Sequence, residues 1–226
     1  ILPLATFVLV KEVKLDTREE SKIEGTNQEI KQWKRIEVLK DYRFYIICMT
    51  MLAMPWIATG SFVYQSFISS SKEWGPYVIA QSFMAYSILS VITLFISGFL
   101  IDKFTSRKLL IYMNIPLFFA TAVLYYFDAP FSSFVFFGLL GVTNGLANVL
   151  GSSTWAEIYG VKFIGSIKAL TTALMVFATA FGTALFGVLI DIGLTIENIA
   201  VVSGVYIFSS IILLYLVKNK LNPQYI

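Results

Sequence analysis

Apolar stretches of about 20 residues recur along this chain, separated by short polar breaks, and they leave it few ways to fold. A helix of ~20 residues crosses the ~30 Å hydrocarbon layer of a bilayer. Within that layer backbone N–H and C=O groups must find their partners inside the protein. The runs cover roughly 44–68, 77–101, 109–127, 131–155, 167–190 and 198–217, labelled here spans a to f. None alternates apolar and polar residues as a barrel strand does. The expectation is an all-α, polytopic membrane protein with a six-helix bundle over 44–217. Composition agrees: 14% of the 226 residues are charged, against about 25% in a soluble domain.

Basic residues orient the spans. Nine of the 17 lie in 11–43, three in the b–c loop, two between spans d and e (Lys162 and Lys168), and two in the tail (Lys218 and Lys220). Only Lys72, in the a–b loop, falls on the other side. The positive-inside rule therefore puts residues 11–43 and the C-terminal tail, 218–226, in the cytoplasm. Topogenic charge accounts for the basic balance, so no nucleic-acid partner is expected.

Residues 1–10, "ILPLATFVLV", are apolar but too short to span. They read as the inner end of a preceding transmembrane helix, and the chain as the C-terminal part of something longer. Residues 11–43 read as a cytoplasmic linker. Its first part is charged and poor in large apolar residues, the composition of a solvated segment. In its second part Ile30, Trp33, Ile36 and Leu39 recur at helical spacing among Lys31, Lys34, Arg35 and Lys40. Two readings stay open there: a basic amphipathic helix on the membrane surface, or a plain extension of span a.

The break between spans b and c reads "GFLIDKFTSRK", residues 98–108. Asp102 suits a helix N-terminus, where a carboxylate is favoured. Lys103, Arg107 and Lys108 hold the loop inside. The stretch resembles the signature loop of the major facilitator superfamily, Gly-x-x-x-Asp-Arg/Lys-x-Gly-x-Arg/Lys-Arg/Lys. Gly98, Asp102, Lys103, Arg107 and Lys108 match, and Thr105 stands where the family usually has Gly. The resemblance implies that the six spans are helices 7–12 of a two-bundle carrier, with residues 1–10 ending helix 6. It also implies a gating role for the loop, with Glu157 at the inner end of span d pairing with Arg107 or Lys103.

Within that family, Thr59, Gly60 and Gln65, together with Trp155, Ala156, Glu157, Tyr159, Gly160 and Gly165, resemble bacterial carriers of the monocarboxylate-porter and oxalate/formate-antiporter type. That likeness alone implies a small organic anion and a bacterial cytoplasmic membrane. Spans b and e carry no Lys or Arg at membrane depth; Lys168 lies at the inner mouth.

Polar side chains in hydrocarbon are costly unless they meet partners or water. Span b carries Ser82, Tyr86, Ser90, Thr93 and Ser97 on one stripe; span d carries Asn144 and Asn148; span a carries Tyr64 and Gln65. The Ser and Thr residues read best as helix-packing contacts. For Tyr86, Asn144 and Asn148 packing and a substrate path stay open, and Tyr64 and Gln65 are further path candidates. Gly141 and Gly145 form a GxxxG packing pattern.

The chain has no His and one Cys, Cys48. Serine–His dyads, His-ligated metal sites and intramolecular disulfides are thereby excluded, and no paired intramembrane Asp points to catalysis. The expectation is no enzyme, no cofactor and no metal. It is instead a secondary transporter working by alternating access on a small-molecule substrate. Its partners would be the lipid bilayer, a missing N-terminal six-helix half and a coupling proton or ion. The alternative is a non-transporting membrane sensor or assembly subunit on the same fold.

Overall fold

The computed structural model describes residues 30–225, so the expected helix end at 1–10 and the first part of the linker lie outside the described residues. α1 (Arg35–Lys40) precedes α2 (Tyr42–Val63) and the short α3 (Gln65–Ser71). Then come α4 (Pro76–Phe104), α5 (Ser106–Leu109), a 3-10 turn over Leu110–Tyr112, and α6 (Ile115–Tyr126). α7 (Pro130–Tyr159), α8 (Ile164–Asp191), α9 (Ile196–Val217) and a 3-10 turn over Lys218–Lys220 complete the order. Among the described residues, six segments are long and apolar enough to cross a membrane: Tyr42–Val63, Tyr77–Phe104, Ser106–Tyr126, Pro130–Tyr159, Ile164–Asp191 and Ile196–Lys220. No strand forms among the described residues; there is one isolated bridge, between Ile30 and Tyr225.

Three differences from the sequence expectation have local causes. Span a does not run unbroken to 68: the helix stops at Val63, with Tyr64 at φ −98°, ψ 25°, and α3 starts at Gln65. Span c is broken near its start, because Pro116 in the first turn of α6 cannot donate to the turn before it. Asn114 caps the break and donates its side-chain N–H to the Thr50 carbonyl, 2.8 Å away in α2. The amphipathic stripe in 30–39 is not one helix. α1 has only six residues, Trp33 precedes it in extended chain, Ile36 is exposed, and Val38 is the residue buried.

The helices pack in one run of neighbours. α4 lies along α7, α7 against α6, α6 against α9, α9 against α2, and α2 against α8. Glycine permits the tightest of these approaches. A Cβ on Gly145 would stand 2.6 Å from the Ser90 carbonyl of α4, and one on Gly141 would collide with the Tyr86 carbonyl. Two serines of the span b stripe are spent inside the protein: Ser82 donates to Ser133 of α7 at 2.8 Å, and Ser97 donates to its own helix at the Thr93 carbonyl. Two apolar clusters fill the bundle. One, around Trp56, Phe137, Phe186 and Ile199, serves the end bearing Lys72; the other, around Phe44, Trp155, Tyr159 and Leu214, serves the end where the chain segments 30–41 and 218–225 meet.

Candidate functional site

Two places in the bundle gather the polar residues singled out above. The first is the α4–α5 turn, at the end where both flanking segments lie. Glu157, two residues before the end of α7, reaches the start of α5. Its Oε2 accepts the backbone N–H of Ser106 at 2.9 Å and of Arg107 at 3.2 Å, together with the Ser106 hydroxyl. Its Oε1 meets the Arg107 Nε at 3.0 Å. A carboxylate at a helix start meets unpaired N–H groups and the positive end of the helix dipole. Arg107 also donates to the side-chain oxygen of Asn222 at 2.8 Å, which ties the tail to this turn.

Of the two bases offered to Glu157, then, Arg107 takes it. Lys103 instead lies near the ring of Phe104, at 5.4 Å. Asp102, Lys103 and Lys108 are exposed. Asp102 has no hydrogen-bond or ion-pair partner among the described residues. A Cβ on Gly98 would meet nothing within 4 Å, so its smallness is not required inside this bundle. Thr105 has φ +72°, ψ 145°, a conformation that disfavours any side chain, at the position where the resembling family has Gly. Its hydroxyl is buried without a hydrogen-bond partner among the described residues.

A neighbouring cluster was not legible from spacing. Asp41 caps α2 by accepting the Arg43 N–H at 3.0 Å and pairs with the Arg43 Nε at 2.7 Å. Tyr159 donates its hydroxyl to the same carboxylate at 3.2 Å. Arg43 Nη1 then donates to the carbonyls of Lys220 and Asn222, at 3.0 and 3.2 Å. The "DYR" at 41–43 was the one available hint, as an N-cap acid followed by a base. Gly160, at φ +82°, ends α7 and leaves room for Gln32, whose side-chain oxygen accepts the Lys162 N–H at 2.9 Å.

The second place is a cavity of about 220 Å³ at mid-length of the helices. Tyr86, Asn144 and Asn148 line it, with Pro55 and Thr59 from α2 and Met175 from α8. Asn144 donates to the Ser90 hydroxyl at 2.8 Å, and Asn148 donates to the Asn144 carbonyl at 2.9 Å. Among the described residues no charged one lines it. Tyr64 and Gln65 do not join this group. Tyr64 stacks on Phe186 with centroids 6.3 Å apart, its hydroxyl against Gly187. Gln65 faces a separate hollow with Ser66, Ser69 and Trp74. Sequence reasoning missed the α2 wall, although Pro55 inside an apolar helix marked it.

At the opposite end, Lys72 is buried, and its ammonium meets Asp128 at 2.6 Å and Glu197 at 2.7 Å. The three loops assigned to one side by charge counting are thus joined through the single base among them.

The family model described as Major Facilitator Superfamily matches residues 7–224. No curated protein matches the chain.

Proposed function

The chain belongs to the major facilitator superfamily, a family of transporters, and on that premise we propose that it carries a small polar solute by alternating access, through the cavity lined by Tyr86, Asn144 and Asn148. The bundle would be one half of the carrier, with a second six-helix bundle closing the cavity and the α4–α5 turn facing the cytoplasm. The observation that carries this reading is the convergence of those three side chains, from two helices, on one uncharged cavity at membrane depth. Polar groups there need a partner, and a solute held between bundles supplies one.

The lining sets what this half can offer. Tyr86 and the two Asn provide neutral hydrogen-bonding groups, while Met54, Phe62 and Met175 provide apolar contact. A carboxylate or other charge on the solute would have to be met by the second bundle, as would proton coupling. Low coverage supports the same arrangement: the apolar windows of Tyr77–Phe104 and Ile164–Asp191 are the least buried of the six.

Transport by the full-length protein in proteoliposomes tests this reading, with a panel of neutral polar solutes and small carboxylates. At least one solute should show saturable uptake that Asn144→Leu reduces about tenfold or more while the protein stays folded, because a lost hydrogen bond leaves a buried group unpaired. Saturable uptake unchanged in an Asn144→Leu, Asn148→Leu double variant would rule out this cavity.

A further inference from the structure

Where residues 30–43 meet the tail, two buried donors are unspent. Trp33 is 8% exposed and Arg43 5%. Trp33 Nε1 and Arg43 Nη2 each lack any hydrogen-bond partner among the described residues. The two residues are adjacent, with the guanidinium carbon 5.5 Å from the indole centroid. Both line one groove of about 470 Å³. Buried donors are rarely left unpaired in folded proteins, and an acceptor held in the groove that both residues line would be met by a small turn of their side chains.

The rest of the lining fixes the sign of that acceptor. Lys31, Lys40 and Lys220 stand around the groove, and none of them pairs with a carboxylate among the described residues. The two acids present are already engaged. Asp41 accepts from Arg43 and Tyr159, and Glu37 accepts the Lys34 N–H at 2.7 Å. Arg43 is held by Asp41 on one edge and by two tail carbonyls on another, so Nη2 is the nitrogen left unspent.

We propose that this groove is a binding site for a phosphate group, with Arg43 Nη2 and the Trp33 indole N–H as direct donors and Lys31, Lys40 and Lys220 supplying charge. A phosphate offers several acceptor oxygens and matches a fixed guanidinium edge better than a lone carbonyl does. The groove opens beside the first turn of α2, where Tyr42 and Tyr45 are exposed, the setting of a membrane interface. The phosphate can therefore belong to an anionic lipid headgroup or to a soluble phosphate. Because the site clips residues 30–43 to the tail, its occupancy would stabilise that junction. The proposal does not depend on what the mid-membrane cavity carries.

The test uses the whole chain in nanodiscs, read by thermal unfolding and by native mass spectrometry. In one arm the lipid is phosphatidylcholine and inorganic phosphate is titrated. In the other the lipid contains phosphatidylglycerol and no phosphate is added. A raised unfolding midpoint in the first arm assigns the site to free phosphate; a rise and a retained phosphatidylglycerol confined to the second assign it to a headgroup. Trp33→Phe keeps an aromatic ring beside Tyr159 and deletes the donor. It should weaken the response about tenfold. The Lys40→Gln, Lys220→Gln pair, both at exposed positions, should weaken it several-fold and flatten its salt dependence. No response in either arm, or a response equal in wild type and both variants, would overturn the proposal.

Discussion

Arg107 and Glu157 meet at two points: the guanidinium Nε lies 3.0 Å from one carboxylate oxygen, and the Arg107 backbone N–H donates to the other at 3.2 Å. One acid thereby fastens the end of α7 to the start of α5, and both side chains are only about a quarter exposed (23% and 24%). Glu157→Gln keeps an oxygen for the backbone donors and loses the ion pair and the charge at the helix start. It should cost about 1 kcal/mol. Glu157→Ala also strands the Ser106 and Arg107 donors and should cost about 2–3 kcal/mol. Denaturation of the purified protein separates the two, and equal losses would show that the charge is all that matters.

Asp102 behaves oppositely in this bundle, since its carboxylate has no ion-pair partner among the described residues. Asp102→Asn should leave stability within about 0.5 kcal/mol. If Asp102 instead holds a helix start of a second bundle in one transport state, the same change costs that state about 1–2 kcal/mol. The ratio of states then shifts roughly five- to thirty-fold. Uptake by the full-length protein should fall while its unfolding midpoint holds. Normal uptake kinetics would reduce the loop to a turn with topogenic charges.

Thr105 occupies its turn under strain. A non-glycine residue at φ +72° costs of order 1–3 kcal/mol, and its buried hydroxyl adds an unmet hydrogen bond. Glycine would remove both terms and lose about 0.5–1 kcal/mol to chain entropy. Thr105→Gly should therefore stabilise the protein by about 1 kcal/mol. Thr105→Ala keeps the strain and should stabilise it less. A thermal midpoint that falls in Thr105→Gly would mean that the turn is held by the Thr side chain.

What was legible in the sequence follows from range. The six spans and their alternation come from local composition, because a bilayer demands ~20 apolar residues whatever the tertiary context. Tyr86, Asn144 and Asn148 stood out because polar side chains in such runs must find partners. Tyr64 and Gln65 stood out equally, but a helix break at Tyr64 turned them elsewhere. That break has no Pro or Gly at its centre to announce it, whereas the break in span c did, at Pro116. The Asp41–Arg43–Tyr159 cluster and the phosphate groove join residues 118 to 179 positions apart, and no spacing rule reaches that far. Thr105 was legible as a departure from a pattern; the backbone angle supplies its physical meaning.

The small-residue approach of α7 to α4 is testable at one atom. A methyl group on Gly145 would stand 2.6 Å from the Ser90 carbonyl and 2.8 Å from the Leu94 nitrogen, and backbone cannot swing aside as a side chain can. Gly145→Ala should force the helices apart and cost about 1–3 kcal/mol. It should also disturb the Asn144–Ser90 hydrogen bond next to it. Gly151→Ala, on the same helix with nothing within 4 Å, is the control and should be neutral or slightly stabilising. Equal midpoints for the two variants would show that α4 and α7 are not in register as described.

Lys72 sets the last expectation. Its side chain is 1% exposed, and it joins Asp128 and Glu197 across three loops, with Trp74 donating to the Asp128 carbonyl at 2.8 Å. Breaking a buried ion pair costs about 3–5 kcal/mol. Here both acids keep contact with solvent, 76% and 35% exposed, so Lys72→Met should cost less, about 1–2 kcal/mol. Burial of the ammonium works to lower its pKa, but the hydrogen bonds and charges of Asp128 and Glu197 outweigh that and raise it above the ordinary value of 10.5. A group whose pKa is raised by folding contributes its full stabilisation below the unfolded value and loses it as pH climbs through the folded one. The gap between wild type and Lys72→Met should therefore be constant from neutral pH to about pH 10 and narrow only above it. A gap that closes between pH 7 and 9 would show that the charge of Lys72 is not what holds these loops together.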